Sequence, residues 1–417
     1  MQQLAPYVWY WLRPQASSLY ILLLRDIGSR HDPPHQEGLL HFLEHALFKG
    51  TRRRTAKSLF SRIERHGGEL NAFTTKDKMG IEIRVPPSSL ALALSTLWEL
   101  MHEATFPPHE LEKEREVILE ELVMYEDIPE ESLIDHFEEE IFIQGGLRHP
   151  VIGYMESLRS IQREDLLTFY AEKVQRSRFV LLLTGPLPEH QVLRSIEKLD
   201  WAKVPSLSLS PPPERMGAPT TTHLPRPIQQ AHLVIGGVGP SPYQWEESFP
   251  LQLLLFELGG GHMSSRLNLL LREKYGWSYS VYTFFHAYPE KSVWGIYAGL
   301  SPEAFEAARD LIRQELQKLI NTPLSPHKVR IIKRAFIGKN GLLLENPIYR
   351  LTLFGRMLLD CGEYLDFRLW KDRVQGVEGE SLQKAAYQFF RSLYERAYLP
   401  QSQGTKAAYT LSDTSRP

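Results

Sequence analysis

Two histidines and a glutamate stand close together in residues 38–48, which read GLLHFLEHALF. If this segment is helical, His41, Glu44 and His45 occupy positions i, i+3 and i+4 and project from one face. Two imidazoles one turn apart suit a tetrahedral zinc ion, and the adjacent carboxylate can accept a proton from water. The spacing therefore predicts a metal site that catalyses hydrolysis.

The alternative interpretation is that the two histidines are unrelated. A pattern this short arises by chance in roughly a few percent of chains of this length, so spacing alone leaves both interpretations open. The neighbours Phe42, Leu43, Ala46 and Leu47 are apolar. Exposed histidines rarely stand in such a setting, so the apolar flanks favour the metal site.

A catalytic zinc ion usually takes three protein ligands, so one more is expected from another segment. The best source is the acidic stretch at residues 110–127, ELEKEREVILEELVMYED. At about 100° per residue, a helix here carries an apolar stripe. The stripe consists of Leu111, Ile118, Leu122 and Tyr125.

The glutamates of this helix differ in where they point relative to the stripe. Glu114 and Glu121 lie on one flank of it, whereas Glu120 points to the opposite side, and Glu112 and Glu116 lie well away. An unpaired charge on a core-facing flank is costly, so Glu114 and Glu121 need a partner. We therefore predict Glu121 as the third ligand and Glu114 as a supporting group beside the site.

The composition is that of a globular protein, with 417 residues, 42% hydrophobic and 24% charged. A net charge of −2 suggests neither nucleic acid nor a membrane surface as the main partner. Cys361 is the single cysteine, so no disulfide forms within the chain and a metal site must use histidines and carboxylates. The first residues lack a secretory pattern, and no apolar run approaches the ~18 residues of a membrane span. We expect a cytoplasmic protein, and a processed precursor stays an open alternative.

Residues 202–223, AKVPSLSLSPPPERMGAPTTTH, are rich in Pro, Ser and Thr, as linkers are. The predicted organisation is a zinc-binding domain at residues 1–203, a linker at 204–223 and a second domain at 224–417. The halves resemble each other: FPPHELEKEREVI in the first has an echo in LSPHKVRIIKRAF in the second. This repeat predicts an α+β fold of two homologous domains, each with helices packed on a mostly antiparallel sheet.

The second half lacks the predicted zinc ligands. The stretch nearest the two histidines, FPLQLLLFELGG, has no histidine, and VRIIKRAFIGKNG is basic where the first half is acidic. One zinc ion per chain is therefore expected.

The motifs together resemble the inverzincin peptidases, the family of pitrilysin, insulin-degrading enzyme and the mitochondrial processing peptidase. HFLEH is followed by EREVILEEL, which places Glu121 76 positions after His45. GGELNAFTTKDK is similar to an edge strand onto which that family's substrates pair. LGGGHMSSRLNLLLREKYGWSYSVY resembles the family's second domain, and the likeness runs from about Leu22 to Leu300.

The resemblance implies a role for each matching residue. His41, His45 and Glu121 would bind zinc, Glu44 would be the general base, and Glu114 would support the site. Asn71, Ala72 and Phe73 would lie on the substrate-pairing edge. Arg272 and Tyr279 match an Arg–Tyr pair near the scissile carbonyl, although residues of these types are usually surface or packing residues.

The function implied is a zinc endopeptidase that cleaves unfolded peptides inside a chamber formed by two chains. The zinc motif and the Arg–Tyr pair occur on the same chain. This favours a homodimer over a heterodimer with an inactive homologue. Two alternatives stay open: a non-catalytic core or assembly subunit, and a peptide-binding module with a vestigial zinc site.

Overall fold

The computed structural model describes residues 1–201 and 206–401. The strands of the first half are β1 (Gln2–Ala5), β2 (Val8–Leu12), β3 (Leu19–Arg25), β4 (Glu69–Thr74), β5 (Met79–Val85), β6 (Phe142–Gln144) and β7 (Phe179–Gly185). Its helices are α1 (Leu39–Leu47), α2 (Ala56–Glu64), α3 (Leu90–His102), α4 (Pro108–Glu126), α5 (Pro129–Ile141), α6 (Met155–Ser160), α7 (Arg163–Phe169) and α8 (Glu189–Ile196).

The second half follows the same plan of strands and covering helices. Its strands are β8 (Arg215–Met216), β9 (Thr221–Arg226), β10 (Ala231–Gly239), β11 (Ser278–Tyr288), β12 (Lys291–Leu300) and β13 (Tyr394–Pro400). Its helices are α9 (Trp245–Gly259), α10 (Phe305–Asn321), α11 (Pro326–Leu343), α12 (Pro347–Cys361), α13 (Phe367–Gly376) and α14 (Gly379–Phe389).

The two large sheets have the same strand order. The first runs β1-β2-β7-β3-β5-β4 and the second β11-β12-β10-β13-β9, so β2-β7-β3-β5-β4 corresponds to β9-β13-β10-β12-β11. In each sheet one pair is parallel, β2 with β7 and β13 with β9, and the other pairs are antiparallel. The predicted α+β fold of two homologous domains is confirmed.

A glycine under an aromatic ring occurs at the same place in both sheets. A Cβ on Gly80 of β5 would lie 2.3 Å from the ring of Phe73 on β4, and a Cβ on Gly295 of β12 would lie 2.3 Å from the ring of Phe284 on β11. The absent side chain lets each ring lie across the neighbouring strand. This shared detail aligns Phe73 with Phe284.

In each domain, one helix packs against the sheet of the other domain. Alternate residues of a strand face opposite sides, so a sheet covered by its own helices on one face presents a second apolar face. Helix α5 covers that face of the second sheet, and α12 covers that face of the first. The resulting contacts bury Leu133, Phe137 and Ile141 against the second sheet, and Leu351, Phe354 and Leu358 against the first.

Phe137 offers a test of this exchange, because it is fully buried and contacts the rings of Phe284 and Tyr394 edge-on at 6.4 Å. Phe137→Ala is expected to lower the free energy of unfolding by about 3–5 kcal/mol, the cost of a large core cavity. Phe60→Ala, at a residue with 36% exposure, is the matched control and is expected to cost much less. Urea denaturation measures both, and equal losses would contradict the packing described.

Three consecutive charged residues in the turn between β4 and β5 are buried between the domains. Lys76 Nζ lies 2.5 Å from a carboxylate oxygen of Glu138, and Lys78 Nζ lies 2.7 Å from one of Asp360. Asp77, between the two lysines, accepts a hydrogen bond of 2.7 Å from the guanidinium of Arg356. These pairs tie the end of strand β4 to both interdomain helices.

The predicted linker contains regular structure. Strand β8 pairs with β6, and β9 begins at Thr221, before the predicted end of the linker at residue 223. Residues 202–205 lie outside the described part, so the domain boundaries stay a prediction. Among the described residues, no helix is both long and apolar enough to span a bilayer. The cytoplasmic location stays a prediction as well.

Candidate functional site

Helix α1 divides the motif residues from the core residues. Leu40, Phe42, Leu43, Ala46 and Leu47 are fully buried, whereas His41, Glu44 and His45 are half-buried on the other face. The carboxylate of Asp32 accepts hydrogen bonds from the N–H groups of Gly38 (2.9 Å) and Leu40 (3.1 Å), which satisfies free donors of the first turn. The helix therefore begins at a defined place and directs the three polar residues away from the core.

Helix α4 packs against α1 and brings Glu121 to the two histidines. One carboxylate oxygen of Glu121 lies 3.5 Å from Nε2 of His41 and 3.5 Å from Nε2 of His45. The two imidazole rings are 4.7 Å apart, and one donor atom from each residue lies within 4.8 Å of the others. Glu120 and Glu121 are both exposed, the side chain of Glu121 to 46%, so the contact with the two histidines is what distinguishes Glu121. The structure thus assembles the predicted ligand set.

Glu114 holds His45 in place. Its Oε1 lies 2.8 Å from Nδ1 of His45, and Oε2 forms an ion pair with Lys49. An Nδ1–H that donates to Glu114 leaves Nε2 free as a ligand, which is the usual arrangement of a carboxylate behind a metal-bound histidine. Burial raises the pKa of Glu114, but the hydrogen bonds with His45 and Lys49 outweigh it, so the net pKa is lowered.

Neighbouring groups raise the pKa of His45 and lower the pKa of Glu121. Burial lowers the pKa of His45, but its hydrogen bond with Glu114 and the charge of Glu121 outweigh burial and raise the pKa overall. The contact with His41 is the main cause that lowers the pKa of Glu121. Glu121 is therefore an anion at neutral pH, as a metal ligand must be.

The chemistry of this donor set fits zinc. Nε2 of His41 is buried and forms no hydrogen bond of normal geometry among the described residues, since the Glu121 carboxylate lies 3.5 Å away, so a group bound at this nitrogen would be favourable. Two imidazoles and one carboxylate are a ligand set of catalytic zinc sites, which leave one position open. His41, His45 and Glu121 would hold such an ion.

A cleft of about 480 Å³ opens beside these residues. Its walls include His41, Glu44, Phe73, Glu121, Tyr125 and Ile152, and we call it the histidine cleft. Glu44 thus lines the same space as two of the predicted ligands, His41 and Glu121. Of the three predicted residues on the substrate edge, Phe73 lines this cleft, whereas Asn71 borders a separate pocket with Glu82. Ala72 lies between them and packs against the core. All three belong to β4, which is the edge strand of its sheet.

Arg272 and Tyr279 lie together but away from the histidine cleft. Arg272 belongs to a π-helical segment, Asn268–Lys274, and Tyr279 belongs to β11. The guanidinium carbon of Arg272 lies 5.4 Å from the centre of the Tyr279 ring, and Tyr279 is 80% exposed. Neither residue lines the cleft that contains His41 and Glu44. A single chain therefore pairs these two residues but leaves them outside its own cleft.

Sequence reasoning missed two residues that support the site, Asp32 and Lys49. Lys49 left a weak signal, since it stands four residues after His45 in the sequence. Asp32 left none, because it stands six residues before Gly38 and reaches the start of α1 across the intervening turn.

Two family descriptions match the two halves of this chain. The family description "Insulinase (Peptidase family M16)" matches residues 8–154, and "Peptidase M16 inactive domain" matches residues 160–336. An uncharacterized zinc protease of Mycobacterium leprae is 30% identical over 378 residues, which are 89% of this chain and 84% of that protein.

Solved structures show the same fold. A protease from Helicobacter pylori superposes with a TM-score of 0.86 at 20% identity and covers 94% of this chain and 96% of its own. A peptidase M16 inactive domain from Pseudomonas fluorescens gives a TM-score of 0.83 at 18% identity. The match covers 96% of this chain and 98% of that domain's chain. The family matches in both halves and the likeness along the whole chain lead to one conclusion: this protein belongs to peptidase family M16.

Proposed function

We propose that this protein is a zinc-dependent endopeptidase that hydrolyses unfolded peptides. The observation that carries the proposal is the grouping of His41, His45 and Glu121 at a cleft that His41 and Glu121 line together with Glu44, beside an edge strand. Relatives described as zinc proteases support it.

Glu44 is the general base in this proposal. A zinc ion held by His41, His45 and Glu121 would supply a Lewis acid for the scissile carbonyl and would make water more acidic. Glu44 lies one position before His45 and lines the same cleft, so its carboxylate can accept the proton of the attacking water. The same carboxyl group can then pass that proton to the leaving amine.

Strand β4 supports substrate binding by strand addition. It pairs with β5 on one side, and its other edge is free within its sheet. A peptide that adds to this edge obtains most of its affinity from main-chain hydrogen bonds, so sequence preference is expected to be loose. Only extended segments can pair in this way, which favours unfolded substrates.

Cleavage with and without metal tests the proposal. The purified protein is expected to cleave a quenched, unstructured peptide, to lose that activity with a zinc chelator and to recover it when zinc is restored. A folded protein of similar size is the control substrate and is expected to stay intact. Zinc binding without cleavage of any peptide in a mixture would support the peptide-binding alternative. If the protein neither binds zinc nor cleaves peptides, the alternative of a non-catalytic subunit is supported.

We further propose that two identical chains form the reaction chamber. The absence of Arg272 and Tyr279 from the walls of the histidine cleft of their own chain supports action on a partner's site, and so does the 80% exposure of Tyr279.

A mixed dimer tests this arrangement. Glu44→Gln disables the zinc half of a site and Tyr279→Phe disables the other half, so each variant alone is expected to be nearly inactive. In a dimer of one Glu44→Gln chain and one Tyr279→Phe chain, one site carries both defects and the other carries none. We expect doubly tagged dimers to recover about half of the normal activity, because catalytic defects combine only within a shared site. A mixed dimer as inactive as its parents would reject action in trans.

A further inference from the structure

The second domain contains a cavity where the first domain has the histidine cleft. Phe249 and Gln252 of α9 line this cavity at positions i and i+3, as His41 and Glu44 of α1 line the histidine cleft. Edge strand β11 borders the cavity with Phe285, the residue after Phe284, just as β4 borders the histidine cleft. The repeated fold therefore leaves an opening at this place in both domains. We call the second one the aromatic cavity.

The walls of the aromatic cavity are mainly apolar. Its volume is about 620 Å³, within the range of ~300–1,000 Å³ typical of pockets for small ligands. Large rings supply much of the wall, among them Trp245, Phe249, Phe354, Phe367 and Trp370. None of the charged groups of the histidine cleft has a counterpart on α9. The body of a ligand that fits these walls is apolar.

The wall of the aromatic cavity contains an arginine, Arg350, that can still bind an anion. The guanidinium of Arg350 lies 3.8 Å from the centre of the Trp11 ring and 5.5 Å from that of Phe354. Its Nε is buried and has no hydrogen-bond partner in the described part of the chain. Arg356, the other arginine of the wall, is already paired with Asp77. Arg350 is therefore the cation of the cavity that still has a donor to offer.

Charges of both signs surround Arg350, and one of the carboxylates, Glu345, also lines the aromatic cavity. Burial lowers the pKa of Arg350, and Arg13 lowers it further, while Asp366 and Glu345 act in the opposite direction. Asp366 caps helix α13 by accepting the N–H of Arg368. Arg350 forms no ion pair with either carboxylate among the residues described.

We propose that the aromatic cavity binds a carboxylate attached to an apolar chain, with the chain between the rings and the carboxylate on Arg350. A fatty acid and a peptide that ends in apolar residues both carry this chemistry, and peptide hydrolysis creates such carboxyl termini. The site goes beyond the proposed peptidase activity and does not depend on it.

Calorimetric titration of the intact protein tests the site. Dodecanoate is expected to bind, one molecule per chain, at least about tenfold more tightly than dodecyltrimethylammonium, since only the acid can pair with Arg350. Arg350→Met is expected to weaken dodecanoate binding by about 10- to 100-fold. The head-group comparison uses the unaltered protein, so the test holds even if this variant folds poorly.

A glycine on the cavity wall provides a second variant. A Cβ on Gly341 would meet Phe367 at 3.5 Å, an ordinary contact, so the first carbon of a side chain fits here, and the larger Gly341→Leu is expected to occupy the cavity and abolish binding. Gly376→Leu is the control, because no atom lies within 4 Å of the added Cβ and the residue is outside the cavity wall.

A short peptide ending in leucines, tested with chelator as free acid and as amide, distinguishes the two ligand sources. If only the free-acid peptide competes with dodecanoate, peptide carboxyl termini are ligands of the cavity. If neither peptide competes, fatty acids are the ligands. Equal affinity for the two dodecyl head groups, or undiminished binding to Gly341→Leu, would overturn the proposal.

Discussion

Replacing Glu44 by glutamine is expected to lower the rate of peptide hydrolysis by about 100- to 10,000-fold, the usual contribution of a general base. The amide cannot accept the proton of the attacking water, but it occupies the same volume. Because Glu44 is half-buried and is not one of the predicted zinc ligands, the fold and the bound metal should persist. The variant should therefore bind peptides and release them uncut.

Three measurements on the Glu44→Gln protein make this prediction specific: metal content, thermal unfolding and turnover of a quenched peptide. Glu120→Gln is the matched control, since it makes the same chemical change on an exposed face of α4 and should leave turnover unchanged. Rapid cleavage by a metal-loaded Glu44→Gln preparation would remove Glu44 from the mechanism.

Replacing Glu121 by glutamine is expected to lower zinc affinity more than about 100-fold, beyond the loss usual for residues that only support a metal ligand. Glu121 is the carboxylate 3.5 Å from both histidines, and an amide oxygen lacks its charge. Glu114→Gln should have a smaller effect, about 10- to 100-fold, because Glu114 acts through its hydrogen bond with His45.

Competition with a chromophoric chelator measures zinc affinity in these variants directly, without reference to activity. Glu120→Gln again serves as the control, because Glu120 stands next to Glu121 on the same helix, and Glu121 is the one in contact with His41 and His45. Equal loss of zinc from Glu120→Gln and Glu121→Gln would show that the helical-face assignment is wrong.

Local periodicity was enough to predict which side chains share a face within a single helix. The spacing of His41 and His45 places both on one face of any α-helix, and the same geometry separates Glu121 from Glu120 on α4. In the structure α1 buries the apolar residues between the histidines, and α4 turns Glu121 toward them. The repeat of strand and helix patterns likewise indicated two homologous domains, and the matching sheet orders bear this out.

Contacts between distant segments were decided by the tertiary structure. Lys76, Asp77 and Lys78 form a run of charges that a local pattern places in a solvated turn, yet all three are buried between the domains. Their partners Glu138, Arg356 and Asp360 stand dozens to hundreds of residues away, on the two helices that the domains exchange. Residue types and periodicity carry no information about such pairs.

The same limit applies to the second domain. Its sequence shows that α9 lacks the histidines, but only the packing of α9, α11, α12 and β11 reveals an aromatic cavity with Arg350 in its wall. Likewise, only the family resemblance associates Arg272 and Tyr279 with the zinc residues, and the fold keeps them out of the histidine cleft of their own chain. Local periodicity determines which face of an element a side chain occupies. Which faces meet depends on how whole elements bury their apolar surfaces together, and that is settled only when the chain has folded.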